Sequence, residues 1–238
     1  MTALVVAHRG ASAGHVDNSL EAFEGAIVAG ADAIEFDVRR TADDQLITFH
    51  DGHVRRKPVA DLTRAQIGAM TGHTPPLLAE VIDLARGRIG LDVELKEAGY
   101  VDRVLAALGD ADPDADPAQP LIVTSFLDAV AAEVKERAPQ VRTGLLVGTD
   151  RPGPHPVRTR LSELSPVARA RACGADAVGM HLLIASLGAL ERTHAAGLGA
   201  FVWTVNREDG LRRFLADPRV EAVITDVPAR ALAVRAAI

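Results

Sequence analysis

The chain is short of cysteine, tryptophan and tyrosine, with one of each. A single cysteine, Cys173, cannot close a disulfide within the chain, so a reducing cytoplasm is the expected setting. Cys173 precedes Gly174 at an expected helix end, where it reads as a small buried side chain rather than a nucleophile. No stretch approaches the roughly 18 apolar residues of a membrane span. The opening MTALVVAHRG has only Leu4 to Ala7 as an apolar run and no basic region before it, too little for a signal peptide. Positive charge is not in excess either: the net charge of −6 argues against general nucleic-acid binding. Neither usual type of Gly-rich phosphate loop is present. What is there is a 238-residue chain, 48% hydrophobic, enough for one large domain over residues 1–238 with a full core. Nothing in it sets an oligomeric state.

Short apolar runs alternate with helical periodicity. The runs are Leu4–His8, Ala33–Val38, Arg88–Leu95, Leu121–Ser125, Arg142–Val147, Asp176–Met180, Ala200–Val205 and Ala222–Thr225, with an extra strand at Gln45–Phe49. Helices are expected at Leu77–Ala85, Val101–Leu108, Leu127–Arg137, Ser162–Ala172, Ser186–Ala195 and Arg207–Leu215, with a last one after Pro228. Before the second strand, Asn18 with Glu21 three residues on resembles a capping box, and Leu20, Phe23, Ile27 and Ala31 follow at helical spacing. Strict strand and helix alternation implies a parallel sheet, and eight such units in this length imply a closed (β/α)8 TIM barrel with a short insertion after the second strand. An open doubly wound sheet is the alternative.

In such a barrel the loops after strands form the active face. The acidic linker from Gly109 to Pro120 follows a helix and belongs on the far side. Two basic loops follow strands, one carrying Arg55, Arg56 and Lys57, the other running from Asp150 to Arg160; both are expected on the active face, as an anion-attracting rim or simply as solvated loops. The strand ends collect reactive groups. In AIEFDV, Glu35 and Asp37 share one face while Ile34, Phe36 and Val38 share the other. His8 and Arg9 end the first strand, and His50 ends the added one. Asp92, Glu94 and Lys96 share a face in LDVELK, and Trp203 and Asn206 end the seventh strand. Glu35, Asp37 and Glu94 make an all-oxygen set suited to a hard divalent cation, Mg²⁺ or Ca²⁺, rather than zinc. His8 and His50 suit acid and base roles, and Arg9 and Lys96 suit phosphate oxygens. Trp203 either stacks on substrate or packs at the barrel end.

These motifs, in order, resemble the glycerophosphodiester phosphodiesterase family. The family's H-R-G and E-N-T-L-E-A-F stand here as His8-Arg9-Gly10 and Asp17-Asn18-Ser19-Leu20-Glu21-Ala22-Phe23. Its E-x-D-V is Glu35-Phe36-Asp37-Val38, and its H-D is His50-Asp51. Thr74 to Val81, Val93-Glu94-Leu95-Lys96, Ser125-Phe126, Val202 to Asn206 and Ile224-Thr225-Asp226 follow in the family's sequence. The resemblance implies a metal-dependent phosphodiesterase that releases an alcohol and glycerol 3-phosphate. It implies His8 and His50 as catalytic residues, Glu35, Asp37 and Glu94 on the metal, and Arg9, Lys96, Trp203 and Asn206 toward a small-molecule phosphodiester substrate, with no nucleic acid and no stable membrane anchor.

Two departures stand out. Asp17 replaces the family glutamate with a shorter side chain. Only Gly52 to His73 fill the segment that in the family is longer and shapes the substrate pocket, which predicts tolerance of different alcohols, with the Arg151–Arg160 loop as a partial lid and Arg158 and Arg160 expected to act on KM more than on kcat. A lysophospholipase D on the same barrel, a non-catalytic binding barrel and a metal barrel acting on carbon acids are the alternatives. The paired histidines with Arg-Gly argue against the last.

Overall fold

A computed structural model describes residues 2–109, 119–148, 163 and 166–238. The expected acidic linker, apart from Gly109, Gln119 and Pro120, and the basic loop with Arg158 and Arg160 lie outside the described residues.

Eight parallel strands close on themselves: β1 (Leu4–His8), β2 (Ala33–Arg40), β6 (Gly90–Leu95), β7 (Leu121–Ser125), β8 (Thr143–Val147), β9 (Ala177–His181), β10 (Gly199–Trp203) and β11 (Ala222–Thr225). Each pairs with the next, and β1 pairs with both β11 and β2, so no open edge remains among them. This is the (β/α)8 barrel, and the open sheet is excluded. Helices connect the strands, beginning with α1 (Leu20–Ala29).

Alternation along each strand sorts two cores. Outward residues such as Ile34, Phe36 and Val38 pack under the helices, where Phe23 of α1 meets Phe36 with ring centroids 5.7 Å apart. Inward residues Val6, Ala33, Ile122, Ala177, Phe201, Ala222 and Ile224 fill the lower barrel. Phe201 fits because Gly144 and Gly179 beside it carry no Cβ; one built on Gly144 would stand 3.3 Å from the ring. With the lower axis plugged, polar inward residues are confined to the C-terminal end.

The insertion is more structured than its length suggests. After β2, the chain returns antiparallel as β3 (Leu46–Thr48), then forms a ribbon of β4 (His53–Val54) and β5 (Lys57–Pro58), a 3₁₀ turn at Val59–Asp61 and α2 (Arg64–Thr71). Ile47, Val54, Val59, Leu62 and Ile67 give it a small core of its own. Arg55 and Arg56, both at positive φ, are the exposed turn of the ribbon. Arg55, Arg56 and Lys57 are all exposed at this β4–β5 turn, which agrees with the reading of the triplet as a solvated loop. Among the described residues, no helix is long and apolar enough to cross a membrane.

Candidate active site

Strand register assembles the acidic cluster. Glu35 stands opposite His8 on one side and Asp92 on the other, and Asp37 stands opposite Glu94. With Ile34, Phe36 and Val38 turned outward, Glu35 and Asp37 must face the axis. Ligand oxygens of Glu35, Asp37 and Glu94 all lie within 4.8 Å of one another, and all three side chains are buried. Asp92 lies a layer deeper and accepts a hydrogen bond from Thr124 Oγ1 at 2.8 Å.

Charge is not balanced evenly across the cluster. Burial would raise the Asp37 carboxyl, but Lys96, Arg9, His50 and the Asn18 amide outweigh it and hold the group below the usual carboxylate range. Lys96 Nζ is 3.0 Å from Asp37 and 2.5 Å from Glu94. Glu35 is compensated less: burial, then Asp37 and Glu94, outweigh Arg9 and push its carboxyl well above the ordinary range. Burial and Asp37 push Glu94 up to about 7. Two unit charges at this separation repel by about 3–4 kcal/mol at an effective dielectric of about 20. Three clustered, buried carboxylates offering only oxygen donors, two of them with raised pKa values, fit a hard divalent ion.

A pH effect follows from the same shifts. Glu94 titrates near its ordinary 4.5 when unfolded and near 7 when folded, and Glu35 is displaced the same way. Between those values the folded chain binds more protons, so this stabilisation is complete below about pH 4.5 and is lost as pH rises through about 7. The ion-free protein should melt at a lower temperature at pH 8 than at pH 6. Saturating Mg²⁺ should narrow that difference, and an unchanged profile in calorimetry with and without ion would contradict it.

The two histidines flank this cluster, each backed by a carboxylate. His8 Nδ1 lies 2.6 Å from Asp226 Oδ1, and its Nε2 lies 3.9 Å from Glu35. Asp226 is itself fixed: Asn206 Nδ2 donates to Oδ2 at 2.5 Å, while Asn206 Oδ1 accepts from the Asp226 amide. Burial raises the Asp226 carboxyl, but hydrogen bonds from His8, Asn206 and Ser12 outweigh it and hold the group low. His50 Nδ1 is 3.0 Å from Asp51, and burial holds the ring below its ordinary 6.5 despite Asp37. Arg39, buried and paired with Glu97, donates to the His50 carbonyl from Nε at 3.0 Å and from a terminal nitrogen at 2.8 Å, which pins the loop bearing that histidine.

Arg9 comes from a turn that needs Gly10. At φ 85°, a Cβ on Gly10 would stand 2.5 Å from the Ala22 backbone of α1. That close approach brings the Arg9 amide onto Glu35 at 3.0 Å, its Nε to 3.3 Å from Asp37 and its NH1 onto Asp17 at 3.0 Å. Asp17 thus reaches Arg9 in spite of its shorter side chain.

Asn18 and Asn206 both differ from expectation. Asn18 does not cap α1; Ser19 does, accepting from Ala22 N at 3.1 Å. Asn18 instead clamps Asp37, donating to its carboxylate at 2.8 Å and accepting from its amide at 3.1 Å. Asn206, expected toward substrate, commits both ends of its amide to Thr225 and Asp226, so it positions His8 through Asp226. The Ile224-Thr225-Asp226 motif was visible in sequence, but its role was not.

At the ends of the next strands round the mouth, Lys96 Nζ lies 5.7 Å from the Phe126 ring centroid. Phe126 meets Trp203 edge-on at 5.6 Å, and Trp203 meets His181 at 5.3 Å. Among the described residues, the buried Trp203 indole N–H has no hydrogen-bond partner. Beside His50 and Arg9, a cleft of about 360 Å³ runs along Asp17, Asn18 and Asp51 to Thr71 and His73 of the insertion.

Comparison with known proteins supports one assignment. The chain is 28% identical over 251 residues to a glycerophosphodiester phosphodiesterase of Caldanaerobacter subterraneus subsp. tengcongensis, covering 96% of each. Its fold matches the crystal structure of a Thermotoga maritima glycerophosphodiester phosphodiesterase at TM-score 0.74, 24% identity and 99% coverage of both chains. It also matches an Oleispira antarctica phosphodiesterase solved with the product sn-glycerol-3-phosphate, at TM-score 0.75, 21% identity, 98% of this chain and 96% of that one. The family profile described as glycerophosphoryl diester phosphodiesterase spans residues 8–230, from the first catalytic-face histidine to beyond Asp226, and the chain belongs to that family of phosphoric diester hydrolases.

Proposed function

We propose that the protein hydrolyses glycerophosphodiesters to an alcohol and glycerol 3-phosphate in a divalent-cation-dependent reaction. The observation that carries this reading is the juxtaposition of two carboxylate-backed histidines with a buried three-carboxylate oxygen cluster. A cation held by Glu35, Asp37 and Glu94 would supply Lewis-acid stabilisation of charge on the phosphoryl oxygens. Arg9 and Lys96 turn from their carboxylates toward the remaining phosphate oxygens. His8 presents Nε2, its Nδ1 being held by Asp226, and exchanges a proton with one reacting oxygen. His50, uncharged near neutrality because burial lowers its pKa, is in the form that accepts a proton. Trp203 offers its face to the substrate beside Phe126. The partner is a small diester, and the lone, buried, unpaired Cys173 fits a cytoplasmic setting.

A second reading, hydrolysis of lysophospholipids by the same chemistry, has one observation in its favour. Val16, Leu127, Leu183 and Leu187 are exposed, and all stand on connections that follow barrel strands, hence on the catalytic face. The test is a panel of glycerophosphocholine, glycerophosphoethanolamine and lysophosphatidylcholine assayed with Mg²⁺, Mn²⁺ and Ca²⁺. The primary reading expects the water-soluble diesters to be cleaved with kcat/KM values within about tenfold of each other and above that for the lysophospholipid. The reverse order establishes the second reading instead.

A further inference from the structure

We infer that Asn206 and Asp226 are positioning residues that dictate which ring nitrogen of His8 carries its proton. The inference rests on the phosphodiesterase reading above and concerns how one of its histidines is kept in working form. The hydrogen bonds run in one direction, set by groups that can act only one way. The Asp226 backbone N–H can only donate, and it donates to Asn206 Oδ1 at 2.9 Å. Thr225 Oγ1 donates to the same oxygen at 3.0 Å and itself accepts from the Val227 amide at 3.2 Å. Asn206 is therefore turned with Nδ2 toward Asp226, and it donates to Oδ2 at 2.5 Å. Ser12 Oγ donates to the His8 carbonyl at 2.9 Å and lies 3.4 Å from Asp226 Oδ1.

Asp226 Oδ1 meets His8 Nδ1 at 2.6 Å. An ionised carboxylate offers only acceptors, so the proton of that bond sits on Nδ1. Nε2, 3.9 Å from Glu35, is left as the nitrogen that gives or takes a proton at the reacting oxygen. A main-chain amide thus sets the state of the ring through two intervening side chains. Asp226→Asn keeps the shape and breaks that order. With Asn206 Nδ2 still donating, the new amide must turn its oxygen to Asn206 and its nitrogen to His8. Nδ1 then becomes an acceptor, and the proton moves to Nε2, the inverted tautomer. Asn206→Asp alone sets a second carboxylate against Asp226, and the two repel. Both changes together restore the order: the carboxylate at position 206 accepts from the amide at position 226, whose oxygen again accepts from Nδ1.

The experiment measures glycerophosphocholine hydrolysis in Mg²⁺ by wild type, Asp226→Asn, Asn206→Asp and the double variant, with circular dichroism as the check on folding. Asp226→Asn should lower kcat about a hundredfold, the usual scale for an acid–base group put out of action, with KM little changed. The double variant should regain about tenfold or more of that loss, a rescue that a merely space-filling pair would not show. Near-wild-type kcat in Asp226→Asn, or a double variant no faster than Asp226→Asn with native spectra, overturns the inference. Long-range nitrogen–proton NMR correlations of the histidine rings carry the test if the variants do not fold. They are recorded on wild type in Mg²⁺, with His8→Ala assigning the signals. A protonated Nδ1 upholds the inference, and a His8 ring protonated at Nε2 alone overturns it. That readout needs no turnover. Wild type inert on glycerophosphocholine therefore removes the phosphodiesterase reading, while the state of the ring nitrogens still decides the inference.

Discussion

Alanine in place of His8 or His50 should cut turnover by roughly a hundredfold or more, the usual range for a positioned acid or base, with the fold intact. Neither side chain belongs to the apolar cores, and both are partly solvent-exposed. The larger loss is expected for His8→Ala. Its ring closes a hydrogen-bonded chain from Asn206 through Asp226, and removing it leaves the half-buried Asp226 carboxylate without its main donor. His50 leans on the exposed Asp51 alone, so its environment rearranges more freely. Steady-state kinetics alongside circular dichroism checks this. Full activity in either variant, with native spectra, removes that residue from the mechanism.

Chelation should abolish hydrolysis, and added divalent cation should restore it. Burial and mutual repulsion raise the Glu35 and Glu94 carboxyls, and Lys96 bridges Asp37 to Glu94. A cation that binds only the folded cluster stabilises the chain by about 2.7 kcal/mol at a concentration 100 times its Kd. For a chain of this size that is a rise of about 5–10 °C in melting temperature. Glu94→Gln removes one anionic ligand and with it part of the repulsion. It should leave the ion-free protein at least as stable as wild type while erasing most of the cation-induced rise. Scanning calorimetry reads both effects without reference to activity. A metal-stripped protein that melts identically with and without Mg²⁺, Mn²⁺ or Ca²⁺, and hydrolyses substrate at the untreated rate, contradicts the metal site.

The barrel was legible because its signal is local. Each strand is a short apolar run, each helix has its own periodicity, and their alternation leaves few topologies. Glu35 and Asp37 were legible for the same reason: alternation within one strand fixes their face before any partner is known. The contacts that tune the site were not legible, because they join distant positions. His8 and Asp226 are 218 residues apart and Asn18 and Asp37 are 19 apart, and no spacing rule reports either pair. Asn18 also misled for a physical reason. It is a good capping residue type, but its side chain is spent on Asp37 and the cap passes to Ser19. The insertion escaped because strands of two residues carry no periodicity, and two consecutive arginines at positive φ are not a turn signature.

Phosphorus NMR of wild-type protein with glycerophosphocholine and Mg²⁺ tests the central claim most directly. The account predicts that the diester resonance is replaced by that of glycerol 3-phosphate, with free choline released in equal amount and no conversion in the presence of EDTA. Release of phosphocholine and glycerol, or a diester that persists under all three divalent cations, would contradict it.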